Sequence, residues 1–214
     1  VPRPSRNVDA ALLAAGRELY PELGMRALSV RRVAERAGVN LGMFHYHFGS
    51  KEQFVRTLLQ QLYDGMFAEL EIAAHDSRPL EGLRAAANVL GRFVRDHRLL
   101  LRRLMADAMN GEPLAVEFAA SNLPRHLGVV LGLVQAGQRS GALKPVAPAQ
   151  AVATIAGAVG GPILIGGAIV ERESMPAPLR ETFEQSVLSD RALTERVDLV
   201  LAGLAATPGA RKKA

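Results

Sequence analysis

The chain has no cysteine among its 214 residues. Disulfides, thiolate metal sites and thiol nucleophiles are therefore excluded. No run alternates apolar and polar residues for long enough to argue for a sheet. Internal repeats are absent. Neither a P-loop nor a Rossmann glycine fingerprint occurs; GAVGGP, at 157–162, lies inside an apolar helical run without the strand-loop-helix setting that phosphate binding needs. His45 and His47 have no third ligand nearby and no acid at a spacing that demands a role. No catalytic residue, metal or cofactor is expected. The opening VPRPSRN lacks the apolar core of a signal peptide, and a cytoplasmic location is expected.

What remains is helical and basic. Hydrophobic residues make up 49% and the net charge is +5. That is enough apolar material for a sizeable core, with a balance that permits a polyanion partner. The pattern predicts an all-α fold, with a three-helix helix-turn-helix domain over 1–50 and a helical bundle over 51–214. Apolar positions Val8, Leu12, Ala15 and Leu19 mark a first helix ending near Glu22, with Gly24 as its stop. Ser29 caps a helix through Ala37, Gly38 turns the chain, and Asn40 caps a helix from Leu41 to Phe48. Ser50 opens a long helix from Lys51 towards Ala74. Later helices are expected over 80–96, 99–109, 114–140, 149–173, 179–187 and 193–204.

Residues 29–51, SVRRVAERAGVNLGMFHYHFGSK, therefore have the layout of a DNA reader. In that layout Phe44 and Phe48 lock the second helix onto the core. Asn40, Leu41, Gly42, Met43 and Tyr46 approach base edges: Gly42 allows close approach, and Leu41 and Met43 suit thymine methyls. Arg31, Arg32, His45, Tyr46, His47 and Lys51 suit phosphates, with Lys51 favoured by its place at a helix start. Eight basic residues face four acidic ones within 1–51. A loose basic arm at the N-terminus and the RKKA end are further candidates for phosphate contact.

The stretch SVRRVAERAGVNLGMFHYHFGSKEQF, residues 29–54, resembles the TetR family of bacterial transcriptional repressors. Ser29, Val33, Ala34, Gly38, Val39, Gly42, Phe44, Phe48, Ser50, Lys51 and Glu52 fit that family's pattern. The resemblance implies phosphate contacts at Ser29, Tyr46 and Lys51, with residues 40–46 facing the groove. Asn40, Met43 and His45 depart from the family's usual residues, so the resemblance does not carry a base preference over to this chain.

The larger domain must then supply a dimer contact, a sensor, or both. Residues 151–170 carry no charge and approach the length of a membrane span, but Pro162 and the alanine-glycine content favour a close-packed helix. Gly157, Gly161 and Ile165, with Val197, Leu201 and Leu204 of the last helix, are expected to form a homodimer contact; the resemblance implies the same pairing. No membrane partner is expected. A pocket for a small organic effector is expected from Phe93, His97, Leu101, Met105, Met109, Phe118, Asn122 and His126. No buried acid stands out. The reading is a ligand-responsive homodimeric repressor on a palindromic operator. A helical enzyme or small-molecule carrier, and a non-specific architectural DNA protein, are the alternatives.

Overall fold

Short polar side chains set where the early helices begin. A computed structural model of the chain describes residues 6–75, 78–171 and 175–206. The arm around Arg3 and the RKKA end lie outside the described residues. Ser29 Oγ accepts the Arg32 backbone N–H at 3.3 Å, Asn40 Oδ1 accepts that of Met43 at 2.9 Å, and Ser50 Oγ accepts that of Gln53 at 3.1 Å. Each cap satisfies a donor that the helix itself leaves open and contributes about 1 kcal/mol.

The helices are α1 (Arg6–Ala27), α2 (Val30–Ala37), α3 (Leu41–Phe48), α4 (Lys51–Ala74), α5 (Pro79–Asp96), α6 (Arg98–Met109), α7 (Pro113–Arg139) and α8 (Pro148–Gly161). A π turn, Pro162–Gly166, carries α8 on into α9 (Gly167–Val170). Then come α10 (Ala177–Phe183), a second π turn (Glu184–Leu188) and α11 (Asp190–Leu204). The fold is all-α; among the described residues the one β feature is an isolated antiparallel bridge between Leu143 and Ala205. Gly24 interrupts α1 with φ 66° and ψ −176°, a conformation that essentially requires glycine. Helical turns resume beyond it to Ala27, so the expected stop is a kink.

The described chain divides into two compact units. One holds residues 6–65 and 99–122; the other holds 66–98 and 123–206. The cut expected at residue 50 lies inside unit one, because the first half of α4 and all of α6 beyond Arg98 share its core. That core joins Leu12, Tyr20, Met25 and Leu28 of the α1 region to Phe44 and Phe48 of α3. Phe54 and Leu58 of α4, Leu100 and Leu104 of α6 and Ala115 of α7 complete it.

Unit two is built around α5, α8 and α11. Ala151, Ile155, Val159 and Ile163 recur every fourth residue and are buried, as are Leu193, Val197 and Leu201 on α11. Two of the expected dimer residues, Val197 and Leu201, therefore face this unit's own core. They continue the stripe begun by Leu193, which packs inward. Gly157 and Ile165 are exposed, Gly161 and Leu204 half-buried, and the large apolar residue that α11 turns outward is Leu199. Pro148–Val170 is long and apolar enough to cross a membrane by length and composition. Its Ile155, Val159 and Ile163 nonetheless pack within the unit's core.

Gly91 of α5 sits where α8 and α11 both approach. A Cβ there would lie 2.6 Å from Leu193 Cδ1 and 2.9 Å from Val159 Cγ1. Gly91→Ala is expected to destabilise the protein by about 1–3 kcal/mol through overpacking, although alanine is the better helix former. Urea unfolding checks this: the midpoint falls while the slope stays constant. A raised midpoint rejects the tight three-helix contact.

Candidate DNA-binding interface

The α2–α3 turn follows from its local sequence. Gly38 adopts φ 68°, ψ 26°, the left-handed C-cap, and its N–H reaches the carbonyls of Ala34 and Glu35. The Val39 N–H closes the turn onto the Ala34 carbonyl at 3.0 Å. Val33 and Ala34 of α2 and Phe44 and Phe48 of α3 are buried. The Phe44 ring centroid lies 5.6 Å from that of Phe48 and 5.1 Å from that of Phe54. This aromatic cluster joins α3 to the first turn of α4 and leaves the opposite side of α3 open.

That open side carries the expected readers. Leu41 is 46% exposed and Tyr46 67% exposed, Gly42 is exposed, and Met43 is half-buried. Asn40 spends its side-chain oxygen on capping, so its amide N–H groups are what remain for a base. Ser29 likewise caps α2 through Oγ as acceptor and keeps its hydroxyl proton for a phosphate.

The cations are placed unequally. Arg31 is exposed and pairs with Glu35 at 2.8 Å; Arg32 is exposed beside it. An exposed i,i+4 pair is worth only about 0.3–0.5 kcal/mol, so a phosphate can displace Glu35. Arg36, also exposed, pairs with Glu18 of α1 at 2.5 Å. His45 Nδ1 lies 3.0 Å from the Gly49 carbonyl. With Nδ1–H donating there, Nε2 of the neutral ring is an acceptor, so donation to a phosphate requires the imidazolium. His47 differs from the expectation: its Nε2 is buried and has no hydrogen-bond partner, so it does not open towards solvent. Lys51 is half-buried, and its Nζ donates to the Met25 carbonyl at 2.8 Å. Two ammonium protons remain for a phosphate.

Sequence reasoning missed the polar group behind this surface. Asp107 of α6 is 5% exposed, the buried acid that the sequence did not reveal. Its Oδ2 accepts from the Tyr20 hydroxyl at 3.0 Å and from the Met25 N–H at 2.9 Å, and its Oδ1 pairs with Arg103 at 3.2 Å. Burial, reinforced by the Asp107 charge, holds the Tyr20 phenol well above its ordinary range, so it stays a donor. The only sequence sign is an acid flanked by apolar residues in LMADAM.

The expected effector residues are scattered. Phe118 and Asn122 line a cavity of 380 Å³ between α4 and α7, with Gln60, Asp64, Arg56 and Glu117. Arg56 and Glu117 form a bidentate pair there. The Tyr63 hydroxyl donates to the Asn122 carbonyl at 2.8 Å. Leu101 is half-buried, but Met105 is 50% and Met109 85% exposed. The buried stripe of α6 runs through Leu100, Leu104 and Asp107, so the two methionines lie on its other side. In unit two, Phe93 and His97 pack ring to ring at 4.8 Å, and His126 is half-buried.

Residues 12–58 match the family model of bacterial regulatory proteins of the tetR family. The chain is 26% identical over 147 residues to the HTH-type transcriptional regulator RutR of Escherichia coli K12, covering 67% of this chain and 69% of RutR. It is 38% identical over 81 residues to the HTH-type transcriptional repressor KstR2 of Mycobacterium tuberculosis, covering 37% of this chain and 40% of KstR2. The solved KstR2 structure superposes with a TM-score of 0.68 at 20% identity, over 93% of this chain and 95% of that one. The TetR-family regulator PfmR of Thermus thermophilus also gives 0.68 at 20% identity, over 89% and 97%. These relatives are transcriptional regulators rather than enzymes. With a helix-turn-helix of matching sequence and a fold shared along most of its length, this chain is a DNA-binding regulator whose N-terminal domain, over residues 12–58, belongs to the TetR family.

Proposed function

We propose that the chain is a homodimeric repressor that binds a palindromic operator and releases it when a small organic molecule binds. The observation that carries this reading is the exposed side of α3. Leu41, Gly42 and Tyr46 stand out from a helix whose other side is fixed by Phe44 and Phe48, with Ser29, Arg31, Arg32 and Lys51 as donors on the flanking elements. A recognition helix held this way enters the major groove while the flanking donors hold the two backbones.

One such unit reads a half-site, so a palindrome requires two copies. Support for the pairing surface is the outward face of α8, α9 and α11. Ala153 and Ala156 expose methyl groups there and Gly157 exposes backbone; Leu199 is 74% exposed and Ile165 69%. Support for repression as the sign of the effect is the similarity to KstR2, a transcriptional repressor, over 81 residues. The 380 Å³ cavity beside Phe118 and Asn122 is the place for an effector with hydrogen-bonding groups, since amides and a charged pair line it. No cofactor takes part. The effector acts by preferring one arrangement of the protein over another.

The test is selection of bound duplexes from a randomised pool, followed by affinity measurements on the enriched site. Tyr46→Ala with Lys51→Ala is expected to weaken binding by roughly 10–100-fold and to flatten its salt dependence by about two phosphates. An enriched palindrome with that loss supports the reading. Equal affinity for every sequence favours an architectural DNA protein instead.

A further inference from the structure

Lys51 reaches the interface already held, and what holds it leads to a different helix. Its Nζ donates to the Met25 carbonyl at 2.8 Å, while the Met25 N–H donates to Asp107 Oδ2 of α6 at 2.9 Å. One backbone residue is thus gripped on one side by α6 and on the other by the first residue of α4. The chain at this point has little freedom to shift. Gly24 just before it takes φ 66°, and the Arg103 guanidinium fills the space where a Cβ would stand. Arg103 is itself tied to Asp107.

A carboxylate in this position is costly to bury and needs a reason to be there. Tyr20, Met25 and Arg103 satisfy its hydrogen-bonding capacity. Of these three bonds, the one to Met25 leads directly to the interface, because Met25 carries the carbonyl on which Lys51 rests. A lysine loses much rotamer freedom on meeting a phosphate. Docking Nζ beforehand removes part of that cost, and the dock is only as firm as Met25.

We propose that Asp107 is a positioning residue for DNA binding: it fixes Met25, and Met25 holds Lys51 ready for a backbone phosphate. This rests on Lys51 being a phosphate contact, so the test separates the two claims. Binding of the purified chain to mixed-sequence duplex DNA is measured at one low salt concentration. Four proteins are compared: the unsubstituted chain, Lys51→Met, Asp107→Asn and the double variant. Loss of one phosphate contact makes Lys51→Met weaken binding by about five- to tenfold. Asp107→Asn weakens it by about three- to tenfold while Lys51 is present, the cost of leaving a long side chain unordered. In the Lys51→Met background the Asp107 substitution has no further effect, and that non-additivity is the signature of the relay.

A purely structural role for Asp107 moves affinity equally in both backgrounds, and that result overturns the relay while leaving the Lys51 contact standing. Unchanged binding by Lys51→Met overturns the contact and the relay together. A thermal melt confirms that each protein is folded. If Asp107→Asn melts below the working temperature, Asp107→Glu takes its place in the same cycle, and the same non-additivity decides.

Discussion

Replacing Phe44 by alanine is expected to cost about 3–5 kcal/mol, the range for deleting a large aromatic ring from a core that cannot close up. The ring is fully buried and sits between Phe48 and Phe54. Its neighbours come from α3 itself and from the start of α4, and both are pinned by backbone caps, at Asn40 and Ser50. Collapse into the hole would require breaking those caps. Against a typical total stability of about 5–15 kcal/mol, the loss is large. A thermal melt followed by circular dichroism should show a midpoint lowered by roughly 10 °C or more. DNA binding should fail even below that midpoint, because the ring is what sets the angle of α3. A melt shifted by only a degree or two would mean the cluster repacks, and would remove Phe44 as the anchor of the recognition helix.

The second large effect is expected at Leu199. This side chain is 74% exposed on α11, next to the small residues Ala202 and Gly203. Leu199→Arg leaves the fold of one chain nearly untouched, since nothing inside the unit depends on it. In a symmetric contact it brings each new charge up to its own copy or into an apolar surface. Sedimentation should then show a monomer. Affinity for the palindrome should fall by roughly 100-fold or more, because two half-sites are no longer bound as one event. Intact dimer after this change would place the contact elsewhere, whereas a lowered melting midpoint for the monomer would mean that Leu199 supports the fold.

The parts of this protein legible in its sequence are the parts decided within a few residues. Ser29, Asn40 and Ser50 cap helices through donors three residues along. Gly38 makes its turn within the same short reach. The recognition helix and its exposed face follow from such signals and from the four-residue spacing of Phe44 and Phe48. The Asp107 group could not be read this way. Its partners Tyr20 and Met25 are 87 and 82 residues distant, and one sequence carries no sign of such a pairing. The unit boundary was hidden for the same reason, since only long-range packing brings α6 to α1. Two of the expected pairing residues turn inward for a different reason. An apolar stripe at Val197 and Leu201 is equally suited to the chain's own core and to a second copy, and spacing alone does not say which. Of the expected pocket residues, Phe118 and Asn122 line one cavity, whereas Met105 and Met109 lie on the side of α6 that packing left outward.

The π turn at Pro162–Gly166 has a consequence for comparing lengths among related chains. Stepping four residues along an α-helix overshoots a full turn by about 40°, so a stripe spaced by fours winds steadily round the rod. The buried positions Ile155, Val159, Ile163 and Gly167 keep that spacing, and the wider turn falls where the accumulated drift would carry the stripe off the core. The turn in effect stores one residue more than a regular helix uses. A chain one residue shorter can bury the same stripe and show the same outward face by straightening this turn. An alignment gap in the middle of a helix here therefore marks a change of winding, with neither loop altered.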